Sequence, residues 1–214
     1  MSEIVYYPTD LETSGLKVGV QEVTEIGIIR AKDRVQLWRN VKCERPEAAS
    51  FDALKITGKT IEDLSKGFSK EQVVEECNEF FSKDGLEPAN RCIVGHNIFS
   101  FDRRWLFDLW GSCGKEFPAF LWLDTIPMIR AYAKKIGLVK PKVNLHAACD
   151  IVGIKKVAAK HDAKHDSQNS YLLWKDLVEN KKMDFLPFVK TSVHSLVPAE
   201  DSEECGLDPS LLDI

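Results

Sequence analysis

The pattern of apolar positions along the chain changes its period after residue 41. Before that point three stretches are rich in β-branched residues and partly alternate, and we predict a strand in each: residues 4–7, 22–31 and 34–41. Lys32 and Asp33 separate the second stretch from the third, as expected of a hairpin turn. Three strands in series predict an antiparallel meander at the start of the chain.

After residue 41 short strands alternate with helices. Residues 91–95 and 120–123 are short apolar runs, each predicted to be a strand. Ser69 is a predicted N-cap, with Gln72 at the capping-box position, and Asn144 and Gly153 mark the two ends of another helix. Further helices are predicted over residues 48–54, from residue 60, from about residue 102, over 125–136 and over 162–178. This order predicts an α/β fold, a mixed sheet with helices packed on it.

The composition is that of an ordinary soluble globular protein. Of 214 residues, 44% are hydrophobic and 29% charged, which suits one folded domain. We place that domain at residues 1–190 and predict an acidic, weakly ordered tail over 191–214. The net charge is −4, but six acidic residues and no basic residue follow position 199, so the remainder is weakly basic. A weakly basic body is compatible with a polyanionic substrate without requiring one.

The cysteines and the N-terminus bear on the cellular compartment. Six cysteines lie far apart with no C-x-x-C pair, which argues against a zinc ribbon and for reduced thiols. The first residues lack the basic and apolar regions of a signal peptide, and no apolar run is long enough to cross a bilayer. We therefore expect an intracellular, cytoplasmic location.

The strongest candidate chemistry lies at the first predicted strand. Asp10 and Glu12 follow its apolar run and are two residues apart, so on an extended chain both carboxylates point to the same face. Two like charges on one face of a buried strand need a counter-charge, and carboxylate oxygens suit Mg²⁺ or Mn²⁺. Taken alone, the pair is equally compatible with a solvated turn.

Three later residues have a context that fits the same chemistry. Asp102 follows a strand end at a predicted helix start, where a simple first-turn or N-cap carboxylate is the alternative. His161 precedes the last helix and Asp166 lies in its first turn. A carboxylate on a helix can hold a metal while a nearby imidazole accepts a proton from water. The alternative is a polar, solvated turn, and His165 is a weaker candidate because it faces about 100° away from Asp166.

These residues and their spacing resemble the DEDDh 3′→5′ exonucleases, the DnaQ-like family that includes the DNA polymerase III ε proofreading subunit, exonuclease I and the three-prime repair exonucleases. The motifs occur in the family's order: Asp10-x-Glu12, Gly95-His96-Asn97 followed by Phe101-Asp102, and His161-x₄-Asp166. Supporting segments are Ile56-Thr57-Gly58, Leu123-Asp124-Thr125 and the helix from Asn144-Leu145 to Gly153-Ile154. The six-residue step from His96 to Asp102 is similar to that of exonuclease I and the repair enzymes, which act on DNA.

The resemblance implies an RNase H-like fold and a two-metal hydrolysis that releases nucleoside 5′-monophosphates from 3′ ends. Asp10, Glu12, Asp102 and Asp166 would hold two Mg²⁺ or Mn²⁺ ions, and His161 would accept the proton. It also implies a substrate site in which Leu16 and Ile56 contact the terminal bases, while Glu12 and the backbone of Thr13 meet the 3′-hydroxyl. Ordinary core packing is the alternative for the two apolar residues. Asn97 either contacts substrate or braces its loop.

The substrate and partners stay open at this point. We expect single-stranded DNA to be preferred, with RNA trimming as the alternative, since no motif recognises or excludes a 2′-hydroxyl. Four lysines flanking His161 either line a strand-binding groove or form a solvated face: Lys155, Lys156, Lys160 and Lys164. Residues 200–214 are either a solubilising tail or a docking peptide for a polymerase or clamp. Membrane association is not expected, and the oligomeric state is not predicted.

Overall fold

A computed structural model describes residues 3–158 and 162–192 of the chain. Its centre is a six-stranded sheet with the strand order β3-β2-β1-β4-β5-β6. The strands are β1 (Val5–Thr13), β2 (Val23–Arg30), β3 (Val35–Asn40), β4 (Arg91–Gly95), β5 (Leu121–Asp124) and β6 (Val189–Thr191). β2 is antiparallel to both β1 and β3, whereas β1, β4 and β5 run parallel and β6 is antiparallel to β5. The sheet is therefore mixed, and the predicted α/β class and opening meander are confirmed.

Helices cover both faces of the sheet. They are α1 (Phe51–Thr57), α2 (Ile61–Leu64), α3 (Lys70–Ser82), α4 (Asp102–Ser112), α5 (Thr125–Lys135), α6 (Leu145–Val152) and α7 (Ala163–Lys175), which continues as a π-helical stretch over Asp176–Asn180. Apolar residues of α3 and α4 form one core cluster with β1, and those of α5, α6 and α7 form a second with β4 and β5. None of the helices in the described ranges is long and apolar enough to span a membrane.

The central strand β1 divides its side chains between these two cores. Tyr7 and Leu11 are buried in the cluster with α3 and α4. Tyr6 points to the opposite face, where its ring lies 4.9 Å from that of Trp174 on α7. Because side chains alternate along a strand, Asp10 and Glu12 share the α7 face with Tyr6. The face that carries the two acidic residues is thus covered by the last helix.

The capping residues begin and end their helices as predicted. The Ser69 side chain accepts the N–H of Gln72, whose side chain in turn accepts the N–H of Ser69, so the capping box is complete. Asn144 caps α6, and Gly153 ends it with a φ of 84°. That left-handed conformation is one that glycine adopts without steric cost.

Some boundaries differ from the predictions. β1 continues to Thr13 rather than ending at Tyr7, because β2 pairs with it from Thr9 onward. The helix predicted over 48–54 starts at Phe51, after the N-cap Ser50, and runs to Thr57. β6 is not predicted, since it is a three-residue edge strand with largely exposed side chains. Residues 193–214 lie outside the described residues, and the division into a domain and a tail stays a prediction.

Candidate active site

Two strands and one helix build the centre of the site. In the β1–β2 ladder Asp10 lies opposite Gly27, and Glu12 lies opposite Glu25. Both carboxylates on β1 are partly buried. Among the described residues neither of them forms an ion pair with a lysine or arginine. Two adjacent negative charges therefore face α7 without direct neutralisation.

Helix α7 is held close to β2 at its first turn. A Cβ atom added at Gly27 would lie 2.0 Å from the carbonyl oxygen of Ala163, so only glycine permits this approach. Asp162 caps the helix by accepting the N–H of His165 at 2.8 Å. The docked first turn carries Asp166 onto the acidic face of β1. One carboxylate oxygen from each of Asp10, Glu12 and Asp166 lies within 4.8 Å of the others.

Asp102 lies beside this group, on the helix that follows the neighbouring strand β4. It is buried at the start of α4, beyond the carboxyl end of β4. Phe101, rather than Asp102, occupies the N-cap position, so the N-cap alternative does not apply. The Oδ1 atom of Asp102 accepts the N–H of Leu11 at 3.1 Å. The carboxylate is thus fixed to the backbone residue that separates Asp10 from Glu12.

The surroundings of these carboxyl groups disfavour their charged forms. Burial, followed by the charges of Asp102 and Asp166, raises the pKa of Asp10 well above its ordinary value. Burial and the charge of Glu25 raise the pKa of Glu12 to about 8, and burial raises the pKa of Asp102 to about 7. A divalent cation among these groups would favour their charged forms.

The donor set fits such an ion. Asp10 and Glu12 on β1 and Asp166 on α7 each offer a hard carboxylate oxygen from a rigid element. Oxygen ligands of this kind suit Mg²⁺, Mn²⁺ or Ca²⁺ rather than a soft metal, since no cysteine or histidine belongs to the group of three. Burial, the main cause of the raised pKa values, disfavours the charged carboxylates, and a bound cation would offset that effect. These residues are therefore a candidate site for a divalent metal ion.

An open pocket adjoins the carboxylates. Its volume is about 380 Å³, and its lining includes Glu12, Thr13, Leu16, Ile56 and Phe101. Leu16 is 75% exposed and Ile56 is 60% exposed, which excludes ordinary core packing for both. These two exposed apolar side chains lie beside the acidic residues and provide a surface for a flat, partly apolar ligand group.

Asn97 and His96 shape the loop after β4. Asn97 has a φ of 73°, a conformation that asparagine tolerates better than most residues. Its N–H donates to Oδ1 of Asp124 at 3.1 Å, and its side chain is exposed. The ring of His96 lies between the hydroxyl of Thr125 and the carbonyl of Val143. Asn97 thus braces the loop through its backbone and leaves its amide available to a ligand.

Of the two candidate histidines, His161 and His165, the structure describes only His165. His161 lies outside the described residues, directly before the N-cap Asp162. His165 is on the helix, and its Nδ1 atom lies 2.7 and 2.8 Å from the two carboxylate oxygens of Asp162. The ring of His165 is therefore engaged by the helix cap, which agrees with its lower ranking as a proton acceptor.

A buried ion pair behind the site was not foreseen. Glu25 on β2 pairs with Lys59 at 2.6 Å, and its other oxygen accepts the N–H of Ala163 at 3.0 Å. Both charged side chains are largely buried. The pair therefore links the segment after α1 to β2 and to the first turn of α7. The sequence does contain a sign of this pair, since Glu25 lies within a mostly apolar predicted strand. A charge buried in such a strand requires a partner.

Two further polar side chains contact Asp166. The Asn169 amide donates to Oδ1 of Asp166 at 3.2 Å, and its own oxygen accepts the N–H of Val157 at 2.9 Å. Nε2 of His146, on α6, lies 3.6 Å from the same Asp166 oxygen. The Asn169 contact is an i,i+3 pair within α7, whereas the His146 contact depends on how α6 packs against α7 and has no signal in the sequence.

We expect the metal-free protein to become less stable to heat as the pH rises from about 5 to about 8. Because the pKa of Glu12 is raised to about 8 and that of Asp102 to about 7, the folded state binds more protons in this window than the unfolded state. The free energy of unfolding therefore falls with rising pH. Saturating Mg²⁺ should raise the melting temperature more at pH 8 than at pH 5.

Melting curves in EDTA and in Mg²⁺ across this range measure both effects. The Glu12→Gln variant is the control, because it removes one titrating group and should flatten the dependence in EDTA. A wild-type melting temperature in EDTA that stays level or rises from pH 5 to pH 8 would contradict the charge arrangement.

The Glu25–Lys59 pair should support metal binding as well as stability. Glu25→Gln leaves Lys59 buried without its partner, which costs about 3 kcal/mol or more in the free energy of unfolding. The variant also weakens the anchor on Ala163, so we expect affinity for Mn²⁺ to fall by about tenfold or more. Calorimetric titration with Mn²⁺ and urea denaturation measure the two effects.

The matched control is Asp84→Asn, which breaks the buried Arg91–Asp84 pair at the start of β4. That variant should lose comparable stability and keep its Mn²⁺ affinity under conditions where it is folded. Equal losses of affinity in both variants would show that the Glu25–Lys59 pair acts on stability alone.

Comparison with known protein families and structures identifies the fold. The model of the RNase_T exonuclease family matches residues 9–174 of the chain. This range contains Asp10, Glu12, Asp102 and Asp166, and it extends almost to the end of α7. A search of curated protein sequences finds no significant match.

Solved structures of exonuclease I are similar to the chain. E. coli exonuclease I in complex with a 5cy-dT13 oligonucleotide matches with a TM-score of 0.68 and 18% identity, over 85% of this chain and 42% of that one. The zinc-bound E. coli enzyme with single-stranded DNA gives a TM-score of 0.69 and 18% identity, over 85% and 41%. Exonuclease I from Methylocaldum szegediense matches with a TM-score of 0.67 and 20% identity, over 84% of this chain and 41% of that one.

The chain spans about two fifths of the length of these exonuclease I chains, and at this level of identity the likeness shows a shared fold. The family match covers most of the chain and includes the acidic residues of the site. The chain belongs to the RNase_T exonuclease family and carries its DEDDh, DnaQ-like exonuclease domain with an RNase H-like fold.

Proposed function

We propose that this chain hydrolyses phosphodiester bonds from the 3′ end of nucleic acid and releases nucleoside 5′-monophosphates. The observation that carries the proposal is the convergence of carboxylate oxygens from Asp10, Glu12 and Asp166 within 4.8 Å, beside an open, partly apolar pocket. A charged centre next to a pocket for one or two bases suits an enzyme that removes terminal nucleotides.

The cofactors in this proposal are two Mg²⁺ or Mn²⁺ ions. Asp10, Glu12 and Asp166 supply the tight group of ligands, and Asp102 supplies the fourth carboxylate from α4. Bound there, such ions would lower the pKa of a water molecule and offset the charge that develops on the reacting phosphate. The hydrogen bond from Leu11 holds Asp102 in place, and Asn169 holds Asp166.

His161 is the proposed proton acceptor for the attacking water. Its support comes from the sequence, where it precedes Asp162, and from the engagement of His165 by that same aspartate. An imidazole is the side chain best suited to accept a proton at neutral pH.

The pocket is the proposed binding site for the 3′-terminal nucleotide. Exposed Leu16 and Ile56 would contact the faces of the terminal bases, and Glu12 with the backbone of Thr13 would meet the 3′-hydroxyl. Asn97 presents its amide from the loop between β4 and α4. The positions of Glu12, Thr13, Leu16 and Ile56 around one pocket support this assignment.

Single-stranded DNA is the proposed preferred substrate. Similar structures include complexes of exonuclease I with dT13 and dA16 oligonucleotides. The six-residue step from His96 to Asp102 also favours DNA, and RNA is the alternative that a direct comparison of rates would separate. Residues 200–214 lie outside the described residues, so a contact with a polymerase or clamp through them stays a sequence-based prediction.

The test is a cleavage assay on 5′-labelled single-stranded DNA and RNA of matched sequence. With Mg²⁺ or Mn²⁺ we expect a ladder that shortens from the 3′ end, no cleavage in EDTA, and a higher rate on DNA. His161→Ala should lower kcat by about 10²-fold or more, the usual contribution of a general base. Asp102→Asn should lower it at least as far.

His165→Ala is the matched control, since it removes a neighbouring histidine and should keep most of the wild-type rate. Cleavage by the wild type that persists in EDTA, or that proceeds from the 5′ end, would overturn the proposal. Equal losses in the His161 and His165 variants would remove His161 from the proposed role.

A further inference from the structure

Positive charge is concentrated in one part of the chain. Residues 125–158 contain seven basic residues and one acidic residue, although the whole chain has a net charge of −4. The basic residues are Arg130, Lys134, Lys135, Lys140, Lys142, Lys155 and Lys156. The first five lie on α5 and on the connection from α5 to α6, which we call the α5–α6 surface. The remainder of the chain is correspondingly acidic.

The side chains of the α5–α6 surface are available to a partner. Its five basic residues are exposed, and none of them has an ion-pair partner among the residues that the structure describes. By contrast, Lys156 is paired with Asp150 at 2.9 Å, and Lys164 lies over the ring of Trp38. Lys156 and Lys164 thus have partners within the protein, whereas the five cations of the α5–α6 surface have no ion-pair partner among the described residues.

Apolar side chains are exposed between these cations. Ile136, Leu138 and Val139 all lie in the α5–α6 connection, and Val139 is 86% exposed. Exposed apolar residues flanked by lysines can bind a ligand that has both anionic groups and planar apolar groups. A single nucleic acid strand has this chemistry, since its phosphates and its unpaired bases are accessible together.

The α5–α6 surface is continuous with the active site. Helix α5 begins at the carboxyl end of β5, and the connection returns to the same edge of the sheet, where the Val143 carbonyl meets His96. On the following helix, His146 lies 3.6 Å from Asp166. The eleven residues of α5 extend about 16 Å away from the site.

We propose that the α5–α6 surface binds the substrate strand on the 5′ side of the nucleotides held in the pocket. This inference rests on the proposed exonuclease function and extends it to longer substrates. At the roughly 3.4 Å spacing of phosphates along one strand, a length of about 16 Å corresponds to at most about five nucleotides. The lysines bind phosphates, so the contact depends on strand length and salt and is independent of sequence.

The test compares substrate lengths in a variant with four neutralised lysines, Lys134→Gln, Lys135→Gln, Lys140→Gln and Lys142→Gln. For a twelve-nucleotide strand at low salt, we expect KM to rise about tenfold or more with kcat nearly unchanged. For a dinucleotide, whose residues fill only the pocket, KM should stay within about twofold. The slope of log KM against log salt for the long strand should fall by up to about 3.

The control carries the same change of charge elsewhere, with Lys32, Lys66, Lys83 and Lys115 each replaced by glutamine, and should keep the wild-type length dependence. An equal KM for the long strand in wild type and test variant would overturn the α5–α6 surface as a strand-binding site. So would a matching rise in the control variant. If the wild type cleaves neither substrate, the exonuclease proposal itself fails, which is a separate outcome.

Discussion

The burial of several carboxyl groups beside one another is the constraint on which the rest of this structure depends. Asp10, Glu12 and Asp166 meet within 4.8 Å, and Asp102 is fixed beside them by the Leu11 amide. Their charged forms are unfavourable in the absence of cations, because burial raises the pKa of Glu12 to about 8 and that of Asp102 to about 7. The fold must therefore hold these residues in place by interactions formed elsewhere.

The central strand and the last helix provide those interactions. β1 lies between β2 and β4 in the middle of the sheet, with its other face buried against α3 and α4. Helix α7 reaches the acidic face because Gly27 lets Ala163 approach, and Glu25 holds the Ala163 amide. Lys59 balances the charge of Glu25, so the anchor does not add a further unpaired carboxylate behind the metal site.

Much of this arrangement could be predicted from local patterns in the sequence. A spacing of two placed Asp10 and Glu12 on one face, and the capping residues Ser69 and Asn144 located their helices, because these features depend on residues close in sequence. The Glu25–Lys59 pair and the contact of His146 with Asp166 join distant segments, so only the packed structure shows them. The short edge strand β6 was not predicted, because its three largely exposed residues show no alternation of apolar and polar positions.

We propose that the carboxylates of β1, α4 and α7 form a metal-binding catalytic centre. Anomalous diffraction from crystals soaked in Mn²⁺ tests it most directly, because it locates the ions independently of activity. We predict two peaks among Asp10, Glu12, Asp102 and Asp166, with one about 2.1 Å from oxygens of Asp10, Glu12 and Asp166. Full occupancy at another place, with no peak among these residues, would contradict it.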